Sequence, residues 1–168
     1  MNHPRLVLLG FMGAGKTSVA RALAARFDCG WLDVDDLITT RTGLTPAQII
    51  DQQGEARFRE LETEALSAAL DGDTRVIATG GGAWTLEQNR ELVNARQCLT
   101  VWLDTPFELC RRRIAPQGDT RPLARDETRA RQLYETRRAL YTQATLHVHI
   151  TPEKTVEKVV DEIMSSTL

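Results

Sequence analysis

Lysine is almost missing from this chain of 168 residues: only Lys16, Lys154 and Lys158 occur, against 18 arginines. Aromatics are sparse at 5%, and the cysteines are three, Cys29, Cys98 and Cys110. An odd, scattered set of this kind excludes a disulfide framework and fits a reducing cytoplasm, with each thiol read as a small buried hydrophobe. No apolar run approaches a membrane span, and the stretch after Arg5 ends at Leu9, too short for a secretory signal. A formal net charge of −2 gives no case for a nucleic-acid partner. The guanine-binding pattern N-K-x-D occurs nowhere, which argues against a GTPase. Repeats, low-complexity tracts and interdomain linkers are absent as well. What remains is ordinary for a soluble globular domain: 42% hydrophobic, 26% charged, and long enough for one core.

One of the three lysines stands in Gly10-Phe11-Met12-Gly13-Ala14-Gly15-Lys16-Thr17. This matches the phosphate-loop pattern G-x-x-x-x-G-K-[ST]. Residues 5–9 read as a strand entering it and residues 16–27 as a helix leaving it, which is the context the motif needs. Glycines let successive N–H groups converge on one point, and the helix N-terminus adds partial positive charge there. Gly13, Ala14, Gly15, Lys16, Thr17 and Ser18 are therefore expected to hold nucleotide phosphates. Lys16 would reach the β/γ-phosphates, and the Thr17 hydroxyl would bind Mg²⁺. A glycine turn joining a buried strand to a helix is the plain alternative.

Further strands are expected at 31–34, 75–79, 99–103 and 147–150. Helices are expected at 35–42, 46–52, 54–70, 86–95, 106–114, 127–144 and 152–164. Thr45-Pro46-Ala47-Gln48 has an N-cap, a proline at N1 and the glutamine of a capping box, and Thr151-Pro152 repeats the first two signals. Strands alternating with helices predict a parallel α/β sheet with ligands at the carboxyl ends of its strands. Residues 115–126, with two prolines and a glycine before Arg125, predict a flexible lid on one domain spanning 1–168.

Several constellations could carry chemistry. Asp33 and Asp35 close the second strand, and strand alternation would put both carboxylates on one side. They suit metal hydration and orientation of a hydroxyl nucleophile, or an N-cap. The third strand lacks the terminal aspartate that many phosphate-loop proteins use for metal, which shifts that role to Asp33. The same strand runs into Gly80, Gly81 and Gly82, where the backbone can approach a ligand closely or turn sharply. Arg59 and Glu62 share a helix face, as a surface ion pair or as a braced carboxylate receptor. Nine arginines lie between Arg111 and Arg138. Most read as a solvated face, with a few available for phosphate or carboxylate. His147 and His149 share a strand face without a third ligand, so a metal site is not expected.

Together these motifs resemble the shikimate kinases, over nearly the whole chain. The carriers are G-x-M-G-x-G-K-T at Gly10 to Thr17, Asp33-x-Asp35, G-E-x-x-F-R-x-x-E at Gly54 to Glu62, Gly80 to Gly82, Arg121-Pro122-Leu123, and R-x-x-L-Y at Arg137 to Tyr141. The resemblance implies a three-layer α/β/α P-loop NTPase fold with a five-stranded parallel sheet, like the nucleoside monophosphate kinases. It implies transfer of the ATP γ-phosphate to the 3-hydroxyl of shikimate, on the route to chorismate and the aromatic amino acids, by a cytoplasmic monomer. By position, Asp35 would bind the shikimate hydroxyls and act as base. Arg59 and Arg137 would grip the carboxylate, with Gly80 to Gly82 lining the same pocket. Asp33 would support the metal through water. Arg121 would reach the transferring phosphate, Arg113 would stack on adenine with Arg112 as its rival, and the turn at Lys154 would border the adenine.

Two other readings stay open at this point. Another small-metabolite kinase, such as a gluconate kinase, would share Lys16 and Thr17 without needing Gly80 to Gly82 or the paired arginines. A nucleotide-binding regulator without catalysis would have no use for Asp35 or Arg121.

Overall fold

In a computed structural model of the chain, residues 4–115 and 126–167 are described. Five strands form one wholly parallel sheet in the order β2-β3-β1-β4-β5. They are β1 (Leu6–Leu9), β2 (Trp31–Asp33), β3 (Val76–Ala78), β4 (Leu99–Asp104) and β5 (Leu146–His149). The helices are α1 (Lys16–Phe27), α2 (Val34–Thr42), α3 (Pro46–Gln53), α4 (Glu55–Asp71), α5 (Glu87–Ala95), α6 (Phe107–Ile114), α7 (Glu127–Tyr141) and α8 (Val156–Thr167). A 3₁₀ turn at Ala83–Thr85 follows β3. The expected lid, with Arg121 in it, falls almost entirely at 116–125, outside the described residues.

A strand buried on both faces needs an unbroken apolar run, and β1 is one. Leu6 and Leu8 face α1 and α8 in a cluster with Leu23, Val101, Val160 and Ile163. Val7 and Leu9 face the opposite side, with Ile38, Phe58, Leu66, Val93 and Tyr141. The alternation builds a helix layer on each side of the sheet, and each fully buried leucine contributes about 2 kcal/mol. β1 lies at the centre, where the chain has wound first towards β2 and β3 and then crosses to β4 and β5. Ligands of open α/β sheets collect at such a reversal, beyond the carboxyl ends of the strands.

The Thr45 capping box forms in both directions, with Gln48 N–H donating to Thr45 Oγ1 at 3.3 Å and Thr45 N–H to Gln48 Oε1 at 2.9 Å. The last helix departs from expectation. Pro152 belongs to a turn, and α8 starts four residues later, where Thr155 Oγ1 accepts from Lys158 N–H at 3.4 Å. A threonine–proline pair can open a turn as well as a helix, and only the later threonine has apolar residues at helical spacing behind it.

Candidate active site

The phosphate loop leaves β1 at the centre of the sheet. Gly13 has φ 77° and Gly15 has φ 96°, values that side chains rarely adopt. Space forbids a side chain at Gly13 too, since a Cβ would lie 2.8 Å from the Cys110 carbonyl oxygen. Gly15 opens α1 without a side-chain cap, and the first turn of α1 holds no acid. Every other described α-helix has one or the other: Asp33, Thr45 and Asp126 cap α2, α3 and α7, and Glu55, Glu87, Glu108 and Glu157 sit in the first turns of α4, α5, α6 and α8. The N-terminus of α1 thus has neither a side-chain cap nor an acid in its first turn, which suits an anion. Lys16 folds its ammonium over the loop, donating to the carbonyls of Gly10 at 2.7 Å and Phe11 at 2.9 Å.

Thr17 donates its hydroxyl to Asp33 Oδ2 at 2.6 Å, while Asp33 Oδ1 accepts from the Asp35 N–H at 2.9 Å. Asp33 therefore caps α2 and also faces the loop. A hydroxyl backed by a carboxylate is a hard oxygen donor set, which suits a cation that keeps most of its water. The route to this geometry differs from strand alternation. β2 stops at Asp33, and Asp35 stands in the first turn of α2, so a helix start aims the second carboxylate.

That carboxylate reaches the glycine turn. Thr79 ties the end of β3 to β1 through two bonds to the Leu8 carbonyl, its N–H at 3.2 Å and its hydroxyl at 2.9 Å. Gly80 follows beside the acids, and a Cβ on it would stand 2.6 Å from Glu62 Oε1 and 2.9 Å from Asp35 Oδ1. A Cβ on Gly81 would stand 3.1 Å from Arg137 Nη1 and 3.4 Å from the Met12 backbone nitrogen, so the glycine turn abuts the phosphate loop. A Cβ on Gly82 would fall on the Arg59 guanidinium. Close approach to Asp35, Glu62, Arg59 and Arg137 is the reason for three glycines in a row.

Two guanidiniums thus converge on one turn. Arg59 pairs with Glu62 at 2.7 Å and with Glu55 at 3.3 Å. Glu62 is fully buried, so this is no surface pair, and its Oε1 has no hydrogen-bond partner among the described residues. Burial raises the Glu62 pKa against the pull of Arg59 and Arg137. Arg137, 8% exposed, has its pKa lowered by burial, with Arg59 adding to the effect and Tyr141 and Glu62 opposing it. Its Nε likewise has no partner among the described residues, and its guanidinium sits 5.8 Å from the Phe11 ring centroid. Two neighbouring guanidiniums, of which Arg137 keeps a nitrogen without a partner among the described residues, suit a planar anion that takes two hydrogen bonds.

The remaining expected residues divide. Arg113 lies against the loop, donating to the carbonyls of Gly13 at 3.2 Å and Ala14 at 3.3 Å. Arg112 instead lines a recess with Phe11, Met12, Phe107 and Ala130. Ser18 is exposed in the first turn of α1. Lys154 gives its ammonium to the His149 carbonyl at 2.8 Å and to Glu162, neither of them a loop residue. Other arginines of the rich segment form exposed pairs, such as Arg111 with Glu127 and Arg131 with Glu108, of small energetic consequence. His147 packs edge-on against Trp102, away from any metal cluster; among the described residues no group of three or more His, Cys, Asp or Glu could hold one. Tyr141, which sequence reasoning left without a role, donates its hydroxyl to the Gly81 carbonyl; its signal was the final residue of R-x-x-L-Y.

The fold is that of a phosphate-loop kinase, with the Arg59 and Arg137 guanidiniums gathered beside the glycine turn that abuts the loop. The family model described as shikimate kinase matches residues 12–167. A shikimate kinase of Symbiobacterium thermophilum is 42% identical over 95% of this chain and 93% of its own length. That of Ruegeria pomeroyi is 38% identical over 98% and 85%. The solved shikimate kinase from Acinetobacter baumannii in complex with shikimate superposes with a TM-score of 0.91 at 35% identity, covering 98% of this chain and 93% of that one. The chain belongs to the shikimate kinase family and is by that membership an ATP-dependent phosphotransferase.

Proposed function

We propose that this chain transfers the γ-phosphate of ATP to the 3-hydroxyl of shikimate, releasing ADP and shikimate 3-phosphate. The observation that carries this reading is the convergence of Arg59 and Arg137 on the Gly80 to Gly82 turn, beside Asp35 and in contact with the phosphate loop. Arg59 and Arg137 hold the acceptor carboxylate. Asp35 accepts hydrogen bonds from the ring hydroxyls and takes the proton of the attacking one. Phosphoryl transfer needs placement and charge neutralisation more than covalent chemistry. The loop N–H groups and Lys16 provide both for the donor, with Ser18 beside them at the α1 N-terminus. Bound Mg²⁺ supplies further charge neutralisation on the phosphate oxygens; Thr17 would hold it and Asp33 would hold its water.

Arg113 is assigned to the nucleotide side because it already lies against the loop. Arg121 and the lid around it are assigned to the transferring phosphate, and Lys154 to the adenine border, on family resemblance. The three cysteines are unpaired, which suits the reducing cytoplasm we assign, and no described helix is long and apolar enough to cross a membrane. We assign a monomer without a nucleic-acid partner.

A coupled assay of ADP release with shikimate, with gluconate and without acceptor tests the reading. Turnover that requires shikimate and Mg²⁺ is the expected result. Equal turnover with and without shikimate, or a preference for gluconate, would overturn it.

A further inference from the structure

Tyr141 ends α7, 2% exposed and one helical turn after Arg137. Its ring packs against Trp102 at 6.0 Å between centroids, tilted by 39°. Phenylalanine would make that contact equally well. The hydroxyl has a separate job, because it donates to the Gly81 carbonyl. A buried phenol needs a partner, and burial also raises its pKa, so it remains a donor at any assay pH.

Three successive glycines have little conformational preference of their own. Local bonds hold the two outer carbonyls of the turn. The Gly80 carbonyl accepts from Ala83 N–H at 3.2 Å, and the Gly82 carbonyl accepts from Thr85 N–H at 3.0 Å and its hydroxyl at 2.6 Å. The middle carbonyl is tied to another element, α7, through Tyr141. Peptide bonds here are trans, so the C=O and N–H of one unit point in opposite directions. Turning the Gly81 carbonyl towards Tyr141 therefore aims the Gly82 N–H away from α7. Arg137 approaches the same glycine from the same helix, four residues earlier.

We propose that Tyr141 is a positioning residue for the acceptor: its hydroxyl orients the Gly81–Gly82 peptide so that the turn and Arg137 present a single fixed surface to the acceptor anion. This rests on the acceptor-pocket reading above. The residue touches neither substrate; it acts through the turn.

Steady-state kinetics of Tyr141→Phe test it. The ring contact with Trp102 stays and the hydroxyl goes. The KM for shikimate should rise about five- to twentyfold, as for loss of one buried hydrogen bond, with kcat within about threefold and the KM for ATP within about twofold. Partial unfolding would lower the amount of active enzyme without moving either KM, so the KM ratio separates positioning from mere stability. An unchanged KM for shikimate, or a parallel rise in both KM values, would overturn the role. Shikimate-dependent turnover in the wild type with an unshifted variant removes the Tyr141 proposal alone. A wild type without such turnover removes the acceptor reading, and this proposal with it.

Discussion

The two halves of the site are built in opposite ways. The donor half is local: Gly10 to Thr17 form one loop whose backbone, together with the uncapped start of α1, makes the anion cradle. The acceptor half gathers Asp35, Arg59 with Glu62, Gly80 to Gly82 and Arg137 from α2, α4, the end of β3 and α7. The donor half works through main-chain donors that need no counter-charge. The acceptor half buries a carboxylate and a guanidinium and leaves an atom of each unsatisfied. Burying charge without full pairing is costly, and it persists where a ligand completes the set. On the proposed reading, the phosphate chemistry resides in a contiguous backbone loop, and the choice of acceptor in side chains whose burial leaves polar atoms without partners among the described residues.

The sharpest way to divide the halves is Asp35→Asn. The substitution keeps size and removes the carboxylate that we propose as base. Turnover with shikimate should fall by about 10² to 10⁴, the range for loss of a general base. ATP affinity, measured by titration calorimetry, should stay within about twofold, as expected of a residue that acts on the acceptor hydroxyl. A matching loss of ATP affinity would mean that the halves are one energetic unit and would break the comparison.

How much of this was readable beforehand follows the same division. The donor half and α1 were legible because the motif is contiguous and its physics is backbone physics. The inner strands β1, β3 and β4 were legible because burial on both faces leaves apolar runs between helical patterns, whereas the edge strands β2 and β5 are only partly buried. Strand order was not, because it depends on which runs meet in space. The position of Asp35 was legible only in part: strand alternation predicts both carboxylates on one side, whereas the strand ends at Asp33 and a helical turn aims the next carboxylate. Glu62 read equally well as a surface partner, since spacing along α4 cannot say which face the sheet covers. Tyr141 looked like core, and its ring is core; only the hydroxyl contact with Gly81 makes it more.

Glu62→Gln probes the strain in the acceptor half. It removes the buried charge beside Arg59 and should raise the KM for shikimate about tenfold with little change in that for ATP. It also has a pH signature. Burial holds the folded Glu62 pKa above its ordinary value of 4.5, so the folded protein keeps a proton over a window in which the unfolded chain has released it. The contribution to stability is complete below that ordinary value and is lost as pH rises through the raised one. Denaturant unfolding from about pH 4 to pH 7 should therefore show the wild type losing stability relative to the variant as pH increases. A stability difference that is flat with pH, or that grows in favour of the wild type, would show that the arginines fully compensate the buried carboxylate.

The smallest expected effect falls on the donor half and concerns Arg113. Its guanidinium lies on the carbonyls of Gly13 and Ala14 at the edge of the loop, where an adenine stacked on it would gain only a modest cation–π term. Arg113→Ala should raise the KM for ATP about two- to fivefold and leave that for shikimate unchanged. Arg112→Ala should leave both unchanged, because Arg112 lines the recess by Phe107 instead. If Arg112 carries the effect, the adenine lies one residue away along α6, on the Phe107 side. A rise in the shikimate KM from either change would instead show that α6 reports to the acceptor half, and the boundary between the halves would have to be redrawn there.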